Sequence, residues 1–392
     1  MTSVFERDEF RPYQRRWLAR QQEFTRRRAY YDGTMYDGVL ASLDWLGPRL
    51  GGAIRPLYLP CARAVNVDAG IVPGGWALAP DAQRFAAAVR RLFAWSQWPL
   101  EGVLYVQYGA LYGVSCLRVA DLRHARRVVV TPCNPQSVLL IGRSQYDRTP
   151  ALAFYVTRLA GDDGWFEYAE VIEQHRIRTF KDGEPFGFGG RPAEYANLLS
   201  VVPFVEVQHI NTGGEIGACA FQDAMTLLDS VNEVATDLAA IIKKHAKPKW
   251  AVLGADEAEL SNEDDVWTFP QGSDVKVLVP GIDVSGVLKF LIDMRKQVEK
   301  SMPELAFDEL TTKHNIATAT VELQLMELVL LIRRVRPNYD AGLTAALRMA
   351  GRACAQMGLT EAAALDSEDL AFDGGRDVLP VGNFRDKEVE VK

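Results

Sequence analysis

From Phe221 to Ala246 apolar side chains recur at the helical interval, at Phe221, Met225, Leu228, Val231, Val234, Leu238, Ile241 and Ile242. The acids of the same stretch keep to their own stripe. At the helical angle per residue, Asp223, Asp229, Glu233 and Asp237 fall within about a third of the circumference. A helix here packs on one side and shows negative charge on the other, with Lys243 and Lys244 at its carbonyl end, where the dipole favours cations. Lys247-Pro248 stops it, because proline disfavours helix in the residue before it. The insert that follows holds a strand pattern (KWAVLG), an acidic turn (ADEAELSNEDD), then VWTFP and DVKVLVP, enough for a small α/β or β tip. Ser285 opens a second amphipathic helix through Leu288, Leu291, Ile292 and Val298, and Pro303 ends it. Residues 303 to 315 read as a loop, and a final helix runs from about 317 to 357 with a kink expected at Pro337. The pattern describes a helical hairpin with a module at its tip, followed by a long helix.

Upstream, residues 6 to 31 predict one helix that tolerates Pro12 near its start. Phe10, Tyr13, Trp17, Phe24 and Tyr31 lie on one narrow stripe and arginines cover the rest, a pattern read as packing in preference to base stacking. Gly33 supplies a left-handed cap. Residues 37 to 80 look irregular, with short extended pieces around 63 to 67. A helix is expected over 81 to 95 with Asp81 as N-cap, and another from Pro99. Strand patterns then follow between 115 and 183, separated by turns such as GDDG and KDGEP, and close at 198 to 210 into one antiparallel sheet. The fold class is α+β.

The length of 392 residues suggests two or three structural units at roughly 150 residues per domain. With 48% hydrophobic and 24% charged residues the chain is a folded, soluble one. A net charge of −7 argues against gripping nucleic acid over the whole surface, which needs concentrated Lys and Arg, though not against letting DNA slide past. The five cysteines stand far apart without a CxxC pair, so neither a disulfide framework nor a metal site is expected, and a reducing compartment is the simplest setting. The first residues lack an apolar signal core, and the most hydrophobic run, LQLMELVLLIRRVR, is interrupted by Glu327 and too short to cross a bilayer, so no membrane anchor is expected.

Candidate chemistry is sparse. No GxxxxGK[ST] phosphate loop occurs. The nearest approach to a nucleophile elbow, Gly113-Val114-Ser115-Cys116-Leu117, lacks the closing glycine and precedes a strand instead of a helix. His124, His175, His209, His245 and His314 never fall at ligand spacing, and each reads as a surface or hydrogen-bonded histidine. The carboxylates between Asp256 and Asp265 read as a solvated loop. No catalytic constellation, metal or cofactor is indicated, and a binding or structural role is favoured.

Short motifs recur in a particular order along nearly the whole chain. Tyr30-Tyr31-Asp32-Gly33 follows a basic helix, Asn66-Val67 lies in the next stretch, and Tyr108-Gly109-Ala110-Leu111-Tyr112-Gly113 precedes the strands. Val202-Pro203-Phe204 closes the sheet, and Gly214-Glu215 leads into Leu227-Leu228-Asp229-Ser230-Val231-Asn232-Glu233. In that order, and in the sequence helix, insert, helix, loop, long helix, the chain resembles the portal (head-to-tail connector) proteins of tailed bacteriophages, particularly the siphovirus type. It departs from them where Ile316-Ala317-Thr318-Ala319-Thr320 replaces a Ser-Gly pair before the last helix, and in a short C-terminal part that argues against a substantial crown.

The resemblance implies a non-enzymatic homo-oligomeric ring, usually of twelve subunits, at one capsid vertex of a virion, assembled in the host cytoplasm. Residues 1 to 219 would form an α/β wing, 220 to 246 and 283 to 302 the stem helices, 247 to 282 the clip, 303 to 316 the tunnel loop, 317 to 357 the long wing helix and 358 to 392 a short C-terminal segment. Asp223, Asp229, Glu233 and Asp237 would line the channel, Phe307, Lys313 and His314 would lie near DNA, and Trp250, Glu257, Asp264 and Trp267 would belong to the motor-docking clip. The partners implied are double-stranded DNA held transiently and without sequence preference, the terminase large subunit, the major capsid and scaffolding proteins, and a head-tail adaptor. An acidic wall has a physical reason in such a conduit: repulsion over a screening length of about 8 Å keeps duplex centred while adding little friction. The alternatives are another oligomeric head-tail adaptor, generally much shorter, and a metal-dependent nuclease with scattered carboxylates.

Overall fold

In the computed structural model, residues 3–37, 57–74, 76–142, 149–161, 164–245, 249–253, 274–278, 284–305 and 318–372 are described. They divide into two compact units. One comprises Met1–Met35, Pro60–Asp223 and Ser301–Lys392, the other Tyr36–Leu59 and Ala224–Lys300.

The larger unit begins with a 3-10 turn, Val4–Glu6, and helix α1, Arg11–Asp32, which starts later than the apolar stripe predicts because Phe10 stands at its cap with Pro12 in the first turn. Gly33 ends it at φ 76°. Helices α2 (Cys61–Ile71), α3 (Ala86–Ser96) and α4 (Trp98–Tyr112) follow. The first of these corrects the extended reading of 63 to 67. Its valines suggest strand locally, yet Cys61, Ala64, Val65, Asp68 and Ala69 recur every three or four residues and bury one face. Asp81 is likewise no α-helical N-cap, for a 3-10 segment, Pro80–Phe85, precedes α3.

Two antiparallel sheets, where one was expected, make up the middle of this unit. Strands β1 (Val114–Leu122), β2 (Arg127–Cys133) and β9 (Phe204–Gln208) form a sheet in the order β2-β1-β9. The second sheet runs β3 (Val138–Ile141), β4 (Leu152–Gly161), β5 (Gly164–Glu173), β6 (Arg176–Lys181), β7 (Glu184–Pro185), with β8 (Glu194–Ala196) also on β6. The segment that closes the strand region returns to β1, with Cys116 opposite Glu206, and leaves the larger sheet alone.

Helix α7, Thr318–Gln356, continues through Pro337 and lies on β1, β2 and β9. Its buried stripe, including Leu328, Ile332, Val335, Tyr339, Leu343, Leu347 and Ala350, meets Leu117, Val119, Val128 and Val130 in the main core. Gly342 lets this happen, since a Cβ there would sit 2.3 Å from Val207 Cγ1 and 2.4 Å from the Tyr105 hydroxyl. Arg336 fastens the helix to the end of α2 through the Val72 and Gly74 carbonyls and pairs with Asp340 at 2.8 Å. The aromatic stripe of α1 packs as expected: Phe10 and Tyr13 meet Phe154, Trp17 stacks on Phe5, and Phe24 meets Tyr112. Phe372 makes a single bridge with Leu78, all that is described of the extended piece suggested near 369 to 372.

In the smaller unit the chain runs from α5 (Met225–His245) through an antiparallel pair, β10 (Lys249–Leu253) and β11 (Asp274–Leu278), into α6 (Val284–Ser301). That order is the one read from the hydrophobic pattern.

Candidate functional site

The apolar arc of α5 is buried at Met225, Leu228, Val231 and Leu238. Asn232, buried in the same arc, is matched by backbone: its amide oxygen accepts from the Tyr58 N–H at 2.7 Å and its amide nitrogen donates to the Tyr58 carbonyl at 3.2 Å. Tyr58 then reaches α6, where its hydroxyl is 3.4 Å from Glu299 and Arg295 lies over its ring at 5.0 Å. Burial, with the Glu299 charge behind it, pushes the phenol up to about 12, so it remains a neutral donor. Tyr58 thus joins the two helices of this unit. Sequence reading missed it, and the signal that could have found it is Asn232, a polar residue placed in an apolar helical arc whose two-sided amide demands a backbone partner.

On the other side of α5, Glu233 and Asp237 are exposed and Asp229 is half-buried, accepting a hydrogen bond from the Tyr36 hydroxyl at 3.0 Å. Asp223 does not join them. It lies in a 3-10 turn, Gln222–Ala224, ahead of the helix and in the larger unit, so the helical angle that grouped it with the others does not apply. The stripe is three acids long, and Tyr36 bonds one of them.

Helix α6 is exposed all round over its first turns. Leu288, Phe290 and Ile292 are 48%, 53% and 54% accessible, and only Val298 is fully buried. Leu288 and Ile292 lie one turn apart on one face, and Phe290 lies on the opposite one. Covering half of each of these side chains stabilises by about 1 kcal/mol per residue. Trp250 lies in β10 opposite Val277. Glu257, Asp264, Trp267, Phe307, Lys313 and His314 fall outside the described residues.

The larger unit holds a second polar grouping that the sequence did not announce. His209, expected at the surface or hydrogen-bonded, is fully buried at the end of the β9 segment. Its Nδ1 lies 2.8 Å from the Tyr339 hydroxyl, and its Nε2 lies 3.2 Å from Asp68 Oδ2 without hydrogen-bond geometry. Glu304, 1% exposed in the 3-10 turn Pro303–Leu305, has an Oε2 with no partner. Burial, reinforced by the Asp68 charge, pushes its carboxyl up to about 9.

None of this presents an accessible nucleophile. Ser115 Oγ is buried without a hydrogen-bond partner, and burial pushes the thiols of Cys133 and Cys354 up to about 11 and that of Cys219 up to about 12, away from reactive thiolate. Among the described residues no group of three or more His, Cys, Asp and Glu side chains is placed to hold a metal ion, and no helix is long and apolar enough to cross a membrane.

No protein-family model matches this chain, and no curated protein matches its sequence. Among solved structures, it is similar to a chain of the virion of a native gene transfer agent (GTA) particle, at 15% identity over 79% of this chain and 81% of that one, with a TM-score of 0.45. A chain of the neck of an empty GTA particle computed with C6 symmetry gives 15%, 79%, 81% and 0.46. One of the neck of a native GTA particle computed with C12 symmetry gives 14%, 80%, 80% and 0.43.

Proposed function

We propose that this chain is a portal protomer, one copy of a ring that stands at a capsid vertex, conducts duplex DNA in packaging and ejection, and joins head to tail. The observation that carries the reading is the smaller unit: a helix with exposed Glu233 and Asp237, a two-stranded hairpin, and a second helix whose Leu288, Phe290 and Ile292 are about half exposed. A lone chain leaves apolar side chains wet on both of these faces. In a ring each copy has a neighbour on either side, so both faces are covered at the junctions, and rotation repeats the acids around an axis, where they face phosphates without holding them.

On this reading α5 and α6 are the stem, 247 to 282 the clip that docks a terminase, 303 to 316 the tunnel loop, and the larger unit the wing, in contact with capsid and scaffolding proteins. Asp229, Glu233 and Asp237 line the channel, while Asp223 is assigned to the wing. Trp250, Glu257, Asp264 and Trp267 belong to the docking surface for motor and head-tail adaptor, and Phe307, Lys313 and His314 approach the DNA.

Negative-stain microscopy with native mass spectrometry of the purified chain tests this. Rings with a central opening are expected, and Leu288→Asp with Phe290→Asp is expected to yield protomers that keep the wild-type circular dichroism. A monomer under every assembly condition, or a doubly substituted chain that still forms rings, would refute the reading.

A further inference from the structure

Four buried titratable groups from four segments meet inside the larger unit: Asp68 of α2, His209 beyond β9, Tyr339 of α7 and Glu304 of the Pro303–Leu305 turn. Each is at least nine-tenths buried, and three atoms among them, Asp68 Oδ2, His209 Nε2 and Glu304 Oε2, find no hydrogen-bond partner. Buried polar atoms are usually satisfied, so three orphans in one grouping are a departure that asks for a cause. Protons supply one. If Tyr339 donates to His209 Nδ1, then the other ring nitrogen, Nε2, carries the hydrogen toward Asp68; if Nδ1 donates to Tyr339, whose hydroxyl lies 3.4 Å from the Val106 carbonyl, then Nε2 faces Asp68 as an acceptor. Glu304 adds a second carboxyl, and among the described residues no cation pairs with it.

The turn that carries Glu304 packs on α2 and α7. On α2 the facing charge is Asp68. On α7 the buried charged groups among the described residues are Arg336 and Asp340, paired at 2.8 Å, with Arg336 also donating to the Val72 and Gly74 carbonyls and Asp340 accepting from Trp76 Nε1, while the buried Tyr339 is bound to His209. No positive charge among these is directed at Glu304, whose carboxyl is shifted by burial and by Asp68 alone apart from a backbone hydrogen bond. The turn also has a topological position. It follows Ser301, the last residue of α6, and lies where the chain re-enters the larger unit.

We propose that Asp68, His209, Tyr339 and Glu304 form a proton-holding latch, which keeps the Pro303–Leu305 turn seated against α2 while Glu304 is neutral and loosens it when that carboxyl ionises. The latch does not depend on ring formation. Its sign follows from linkage. Glu304 binds its proton more tightly when seated than when released, so the seated state is favoured most in acid and loses ground as pH rises, from the ordinary carboxylate value of 4.5 until about 9.

Millisecond-quench hydrogen exchange of the full chain between pH 5 and pH 10 reads the latch at the Leu305 amide, which donates to the Met302 carbonyl at 3.0 Å. The protection factor, corrected for intrinsic exchange, is expected to fall by roughly tenfold per pH unit and to level off near pH 9. Glu304→Gln, which keeps the shape and removes the proton, should make it independent of pH. Asp68→Asn removes the charge that raises the Glu304 carboxyl and should move the levelling point to lower pH. A merely structural contact would change protection equally at every pH. An unchanged slope in Glu304→Gln, an unmoved levelling point in Asp68→Asn, or flat protection in the unaltered chain would each overturn the proposal.

Discussion

The Arg20–Glu206 pair gives the sharpest test of how the larger unit is held together. Arg20 Nη2 lies 2.5 Å from Glu206 Oε2, with the two side chains 2% and 1% exposed, and the guanidinium rests 4.8 Å from the centre of the Phe24 ring. Burial pulls the arginine down to about 10 from 12.5, which says that water has been withdrawn from the cation. Arg20→Met retains length and apolar contact but removes the cation that faces the Glu206 carboxylate at 2.5 Å. Breaking a buried pair from one side costs about 3–5 kcal/mol, whereas replacing both members with apolar groups is often neutral or better. The Nε of Arg20 already lacks a hydrogen bond, so the pair starts below full compensation and the double replacement Arg20→Met/Glu206→Met should fall within about 1 kcal/mol of the unaltered chain. Urea unfolding followed by tryptophan fluorescence measures this. With a slope of about 3 kcal/mol per molar, the single variant should lose about 1 M or more from its midpoint and the double variant should regain most of it. A single variant within 1 kcal/mol of the parent, or a double variant as unstable as the single one, would show that the pair is solvated and that the burial argument is wrong.

Two further outcomes follow from packing and from linkage. Gly113 ends α4 at φ 74°, and a Cβ there would lie 2.1 Å from the Gly217 carbonyl oxygen and 2.2 Å from Arg27 Nη1, so Gly113→Ala should cost about 2–4 kcal/mol from left-handed strain plus displaced backbone, read as a lower melting temperature. The Arg27 bonds to the Tyr112 and Gly217 carbonyls, at 2.6 and 2.9 Å, would be lost with it. Glu304 has a folded value near 9 against 4.5 unfolded, so it is neutral in the fold and its penalty grows as pH rises between those values. Glu304→Gln should therefore match the parent near pH 4 and exceed it by a few kcal/mol near pH 9, and parallel melting curves for the two across that range would contradict the assignment.

Much of the chain's order was legible from residue spacing, and some of its chemistry was not. The period of 3.6 over Met225 to Leu238 marked α5, because a helix with one apolar stripe has one way to bury it, and α7 was legible as a long helix whose buried stripe only the fold displays. The β-branched runs and polar turns likewise marked the strands as antiparallel, since short connections permit little else. The valines of α2 misled, for local propensity there loses to burial of an Ala, Cys and Asp face against the rest of the unit. Spacing also could not divide the strands into two sheets, since which edge β9 joins is decided by contacts between residues about ninety apart. Asp223 left the acidic stripe because the helix begins two residues after it. Asp68, His209, Glu304 and Tyr339 stand in four distant segments and share no motif. Only the folded chain takes them out of water together, and it is that shared desolvation, absent from any one segment, that gives Glu304 its proton and the grouping its chemistry.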